Sequence, residues 1–398
     1  MENIEWKHPE TITGPPAEGV RFFHRNYINE ELWREINKGV YILFTAPRRV
    51  GKTSIMKDIV KQGREGYLCI FENIQSVNTN ELFYKRLYYL LLNQLSKFTT
   101  ANKILTNWLK SKGIEEVSLE GGIKFKDIKL DFKNELLSLI NKLPELNQKV
   151  VLFLDEFSEV IFRIKKKEGS DNAIDILHTL REIRNKEEFN HCFFVLSGSV
   201  GLDHVVESID RLILINDLHP IKVNALNETE SKSFIRKITK GASMKIGKNE
   251  LQHINIKLKH LVPYFIQLII EECDKLLHSE TRTELTKNDI NNAFETIVKT
   301  EKNLNDWEDR LRPDYLTKEA FRFCREILTV VAHDDKISLQ DIYNISIKHK
   351  ERDNYMNHLK MLVHDGYLIE KTENTYRFVS PLLQSWWKRQ HPVFELEK

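Results

Sequence analysis

The run Ala46-Pro47-Arg48-Arg49-Val50-Gly51-Lys52-Thr53-Ser54 constrains this chain more than any other stretch. The apolar segment Val40-Tyr41-Ile42-Leu43-Phe44 precedes it, and Ile55-Met56-Lys57-Asp58-Ile59-Val60, which reads as helix, follows. A strand, a short loop ending Gly-Lys-Thr and a helix are the context of a phosphate-binding loop. Consecutive backbone N–H groups at a helix N-terminus form an anion cradle there. In this reading Pro47, Arg48, Arg49, Val50, Gly51, Lys52, Thr53 and Ser54 line the phosphates. Lys52 adds a point charge for the β- and γ-phosphates, and Thr53 offers a hydroxyl to Mg²⁺. The position six before the lysine, usually glycine, is Ala46; its methyl strains the loop little unless φ there must be positive.

A chain of 398 residues exceeds what one hydrophobic core usually serves, so two or three domains are expected. A net charge of +2 suggests no strong affinity for polyanions. Cys69, Cys192, Cys273 and Cys324 are widely separated, form no metal spacing, and read as buried free thiols. The first residues lack a basic-then-apolar signal pattern and read as extended coil around Pro9, Gly14-Pro15-Pro16 and Gly19. The apolar block Leu261 to Ile270 is too short to span a bilayer, so a cytoplasmic protein without a membrane partner is expected.

From about residue 20 to 220 strands alternate with helices, the signature of a parallel α/β sheet. Strands are expected at 40–45, 67–73, 150–154, 192–197 and 212–215, and helices near 28–38, 52–62, 80–98, 132–143 and 172–187. The polar stretch 99–130 interrupts this rhythm as a surface insertion. Helical periodicity at 228–240, 247–257, 261–279 and 287–301 gives an all-α unit over 221–304. Over 305–398, helices at 316–333, 338–348 and 353–365 precede a hairpin around Thr372-Glu373-Asn374, the pattern of a winged helix. A last helix follows, with Ser380 as N-cap and Pro381 at N1.

Val150-Val151-Leu152-Phe153-Leu154-Asp155-Glu156 is an apolar strand ending in two acids, and ligands bind at the C-terminal ends of such strands. Asp155 is expected to hold Mg²⁺ through water, and Glu156 to orient and deprotonate the attacking water. The second acid favours a hydrolase, and without an Asn-Lys-x-Asp signal ATP is favoured over GTP. A second apolar strand, Cys192 to Ser197, ends in Ser197-Gly198-Ser199, where Ser197 and Ser199 fit equally well as a hydroxyl touching the γ-phosphate or the lytic water.

These residues resemble the archaeal-type P-loop ATPase family, an AAA+-related, STAND-like group with a C-terminal winged helix. The matching segments are Phe22-Phe23-His24-Arg25, the Pro-Arg-Arg-Val-Gly-Lys-Thr-Ser loop, and Leu154-Asp155-Glu156. Further on they are Ser197 to Leu202, Pro263-Tyr264 and Tyr376 to Leu382, so the resemblance covers roughly residues 20–390. It implies a P-loop parallel sheet (20–220) after an extended segment (1–19), an AAA+-like helical lid (221–304) and a winged-helix domain (305–398). It also implies that Phe23 and Arg25 lie near the adenine, that Ser197 is the sensor position, and that Pro263 approaches the phosphates. The glycine expected two residues before that proline is Leu261, and Pro263 at N1 of a core helix fits equally. An arginine that stabilises γ-phosphate charge is sought among Arg181, Arg184 and Arg211.

A winged helix suggests DNA, yet residues 301–398 hold 16 Lys/Arg against 17 Asp/Glu, without the basic stripe of a DNA-binding module. The third helix there offers Lys360, His358 and His364 beside two acids, and Trp386-Trp387 reads as core. The sequence therefore favours an Mg²⁺-dependent ATPase that switches conformation for a protein partner, with a homo-oligomer as one form. A DNA-binding initiator or transposition helper, and a nucleotide-stabilised scaffold with negligible turnover, are the alternatives.

Overall fold

A computed structural model describes residues 5–97, 107–108, 116–117, 123–124, 130–198, 201–209, 211–300, 304–309, 311 and 316–392. Most of the 99–130 insertion lies outside the described residues, and so does Ser199. The chain forms two compact units. One comprises Arg25–Thr45 and Ile55–Lys222; the other comprises the residues up to His24, the loop Ala46–Ser54, and Val223 onward.

The first unit runs α1 (Asn26–Asn37), β1 (Ile42–Thr45), α2 (Lys52–Gln62, which enters this unit at Ile55), β2 (Tyr67–Asn73) and α3 (Asn80–Leu95). The short strands β3 (Glu116–Val117) and β4 (Ile123–Lys124) pair antiparallel. Then come α4 (Phe132–Ile140), β5 (Lys149–Asp155), α5 (Phe157–Glu168), α6 (Ser170–Asn185), β6 (Cys192–Ser197), α7 (Leu202–Glu207) and β7 (His219–Lys222). The five long strands lie in the order β2-β5-β6-β1-β7, and every pairing is parallel. Strand β6 is buried throughout and β5 from Val150 to Asp155, which is why both read as continuous apolar runs rather than alternating ones. Register aligns Asn73 with Asp155, Leu154 with Leu196, Phe44 with Ser197 and Thr45 with Lys222. The strands thus end within about one residue of each other, on one edge.

One sequence expectation is corrected in this unit. Residues 212–215 are not a strand: Leu212–Leu214 form a 3₁₀ turn with Leu212 45% and Ile213 58% exposed. The fifth strand is His219–Lys222, which tolerates Pro220 because β7 is an edge paired with β1 alone. His219-Pro220-Ile221-Lys222 holds a proline and one buried apolar side chain, so it does not read as a strand beside the apolar Leu212 to Ile215. Helices α5 and α7 were not anticipated.

The second unit continues with α8 (Glu228–Ile238), α9 (Lys248–Leu258), α10 (Pro263–Ser279), α11 (Lys287–Thr300) and α12 (Asn305–Asp309). It ends with α13 (Lys318–Asp334), β8 (Ile337–Ser338), α14 (Leu339–Lys348), α15 (Tyr355–His364), β9 (Leu368–Thr372), β10 (Thr375–Phe378) and α16 (Pro381–Gln390). Asn227 and Glu230 close a capping box on α8, fixing its start. Strands β8, β10 and β9 form a small antiparallel sheet, of which the sequence pattern had shown only the hairpin. Ser380 stands at the N-cap of α16 without making a capping bond, whereas Pro381 occupies N1. Trp386 and Trp387 are core residues, and the Trp387 indole N–H donates to Thr329 Oγ1 at 3.1 Å.

The N-terminal segment is held rather than loose. The Trp6 indole N–H donates to Asp274 Oδ1 at 3.0 Å, and the Glu10 N–H donates to the Ile238 carbonyl at 2.6 Å. The four cysteines are free; Cys192, Cys273 and Cys324 are buried, while Cys69 is half-buried, with burial pushing its thiol up to about 11. Among the described residues no helix is long and apolar enough to cross a membrane.

Candidate functional site

The sheet edge gathers one set of candidates. Asp155 ends β5 fully buried, and its Oδ1 accepts from the Ser197 hydroxyl at 2.6 Å and from the Glu156 N–H at 3.1 Å. Ser197, itself buried, ends the neighbouring strand β6, so the bond joins two adjacent strand ends. Glu156 has φ 62 and ψ 30, a left-handed conformation costing a non-glycine residue about 1 kcal/mol or more. The chain leaves β5 through this turn and enters α5 at Phe157. Gly198 was not singled out in the sequence, yet a Cβ there would stand 1.6 Å from Ser158 Oγ. The glycine lets the first turn of α5 close on the tip of β6, a packing requirement that no local pattern announces.

The phosphate loop belongs to the other unit. It follows β1 directly, and α2 begins at Lys52. Arg49 (φ 62) and Gly51 (φ 95) have positive φ while Val50 between them does not. Such alternation curls successive N–H groups toward one point, the conformation of an anion nest. Ala46 is buried without positive φ, so the missing glycine costs the loop nothing. Lys52 is only 9% exposed, and Thr53 is half-buried. Ser54 Oγ accepts from the Ala17 N–H at 2.8 Å, tying the N-terminal segment to the start of α2.

The remaining candidates fall in both units. Phe23 packs edge-on to Phe234 of α8, with centroids 5.5 Å apart. Arg25, at the N-cap of α1, is buried and donates to Tyr27 Oη at 2.5 Å. Pro263 is at N1 of α10, and Leu261 is buried without positive φ, its carbonyl accepting from the Leu226 N–H at 3.0 Å. That backbone does not need the expected glycine. Arg211 is exposed at the start of the 3₁₀ turn beside Leu212 and Ile213. Arg184 is committed elsewhere, donating to both oxygens of Asp217 at 2.6 and 2.8 Å and to the Leu214 carbonyl at 2.6 Å. Burial raises the Asp217 carboxyl, but these bonds outweigh it and leave the group below its ordinary range.

A parallel sheet with a phosphate loop after one strand and an acid at the end of another defines the architecture. This chain has the P-loop NTPase fold. It is similar to the Walker-type ATPase of Pyrococcus abyssi, with a TM-score of 0.63 and 16% identity over 94% of this chain and 98% of that one. It is also similar to the ORC2 protein of Aeropyrum pernix in its ADPNP–ADP complexes, with a TM-score of 0.50 and 12% identity over 99% of this chain and 98% of that one. No family model matches the sequence, and no curated protein matches it. At these identities the likeness is one of fold.

Proposed function

We propose that the protein binds ATP with Mg²⁺ and hydrolyses it as a nucleotide-driven conformational switch for a protein partner. The observation that carries this reading is the sheet edge, where buried Asp155, its partner Ser197 and strained Glu156 stand together at adjacent strand ends. The donors fit the ligand: a curled loop of N–H groups and Lys52 suit a polyphosphate, while the Thr53 hydroxyl and the Asp155 carboxylate suit a hard cation. Magnesium, when bound, neutralises charge developing on the phosphates. Glu156 takes the proton of the attacking water, and Ser197 holds Asp155 in place. Phe23 and Arg25 are assigned to the base side, Pro263 to the lid side of the phosphates, and Arg211 to charge stabilisation from a second copy of the chain.

The C-terminal elements α13 to α16, which we read as a winged helix, serve a protein rather than duplex DNA. On α15, His358 lies 3.0 Å from Glu351 and His364 lies 3.0 Å from Asp365, so its basic groups are largely spent on neighbouring acids. Phosphate release by the wild type compared with Glu156→Gln tests the hydrolase, with ATP binding measured on both. A large loss of turnover with retained binding is expected; equal rates would leave only the nucleotide-stabilised scaffold. Salt-dependent duplex binding that strengthens with ATP would favour the DNA-directed initiator instead.

A further inference from the structure

Three consecutive residues of the phosphate loop are each met by a different part of the same unit. A Cβ built on Gly366, which has φ +81, would stand 3.1 Å from Pro47 Cβ, so the tight turn after α15 lies against the proline. The Arg48 guanidinium lies 5.5 Å from the centroid of the Trp307 ring, and that of Arg49 lies 4.7 Å from the Tyr264 ring. The three contact points are themselves joined. Phe265, next to Tyr264, packs 6.2 Å from Trp307; Trp307 meets Tyr367 edge-on at 5.2 Å, and its carbonyl accepts from Tyr367 Oη at 2.5 Å. Tyr367 adjoins Gly366. A packed relay therefore runs from α10 through α12 to the start of β9, touching the loop at each stage.

The loop needs such support. Arg49 holds a positive φ that its side chain makes unfavourable, and the curl depends on it. A ring face under a guanidinium attracts it electrostatically and fixes a long, rotamer-rich side chain. Trp307 is 2% and Tyr264 4% exposed, so both rings are rigidly placed.

We infer that Trp307 and Tyr264 are positioning residues for the phosphate loop, setting Arg48 and Arg49 and through them the curl that receives the nucleotide's phosphates. This rests on the nucleotide reading above. The rings act on the loop rather than on the reacting atoms, so their loss weakens binding without slowing the chemical step.

The test is ATP affinity and phosphate release at saturating ATP for Trp307→Leu and Tyr264→Leu, each beside its Phe counterpart. Leucine keeps apolar bulk and removes the ring; Kd should rise about three- to tenfold with kcat unchanged, and phenylalanine should restore most of the affinity. In an Arg48→Gln background, Trp307→Leu should add little, because the pair acts as one unit. Folded leucine variants with wild-type affinity, tighter binding, or a loss that phenylalanine does not repair would overturn the inference. If Trp307→Leu fails to fold, Tyr264→Leu and its Phe control decide the matter by the same readings. A wild type that binds no ATP is a different result, sinking the nucleotide reading itself.

Discussion

At the sheet edge Asp155 is fully buried and held by a serine hydroxyl and a backbone N–H, both neutral donors. On and around α15 the acids are held by histidines instead: Glu351 by His358 at 3.0 Å, Asp365 by His364 at 3.0 Å and Glu326 by His349 at 2.6 Å. The first arrangement fixes the direction of a carboxylate that ends a central strand. The second ties acids to rings on the same or a neighbouring helix, which suits a packed module better than one gripping a phosphate backbone. Backbone strain at Glu156 adds to the contrast, because strain of that kind survives where the surroundings enforce it.

The largest effect should come from the phosphate side. Lys52→Ala is expected to weaken ATP binding at least about a hundredfold, since it removes a charge-assisted contact to phosphate. Micromolar binding retained by this variant in calorimetry would break the assignment. Next is Gly198→Ala, which drives a methyl into Ser158 and should cost about 2 kcal/mol in chemical denaturation. Ser158→Gly in the same chain should recover most of that loss; no recovery would mean the close approach is not what the glycine serves. Ser197→Ala should slow phosphate release about tenfold, roughly 1.4 kcal/mol, and also lower stability by about 1 kcal/mol, because a buried carboxylate loses a donor. An unchanged rate would remove the serine from the acid's support. The smallest effect is expected at α15, where Lys360→Ala should leave duplex binding at physiological salt as weak as in the wild type. A marked loss of affinity in a gel-shift titration would erase the contrast between the two regions.

Much of the sheet edge was legible because its signals are contiguous. Val150 to Glu156 carries both the burial pattern of a central strand and the acids at its end, and Ala46 to Ser54 carries loop and helix start together. The serine at 197 was legible only as one of two hydroxyls, and its bond to Asp155 is a contact that no local pattern announces. The edge strand was misassigned to 212–215 because that run is apolar while His219–Lys222 carries a proline and a lysine, and only pairing with β1 selects the latter. Arg184 looked available as a charge-stabilising group until Asp217 was seen to occupy it.

The sequence by itself determined that a buried parallel sheet would present a phosphate loop and two acids, since hydrophobic run length, glycine placement and strand-end acids act over a few neighbouring residues. Only the tertiary structure decided that Gly198 must be bare for Ser158 and that Arg48 and Arg49 rest on Trp307 and Tyr264. Those contacts join residues far apart along the chain, and packing geometry, which no local pattern encodes, brings them together.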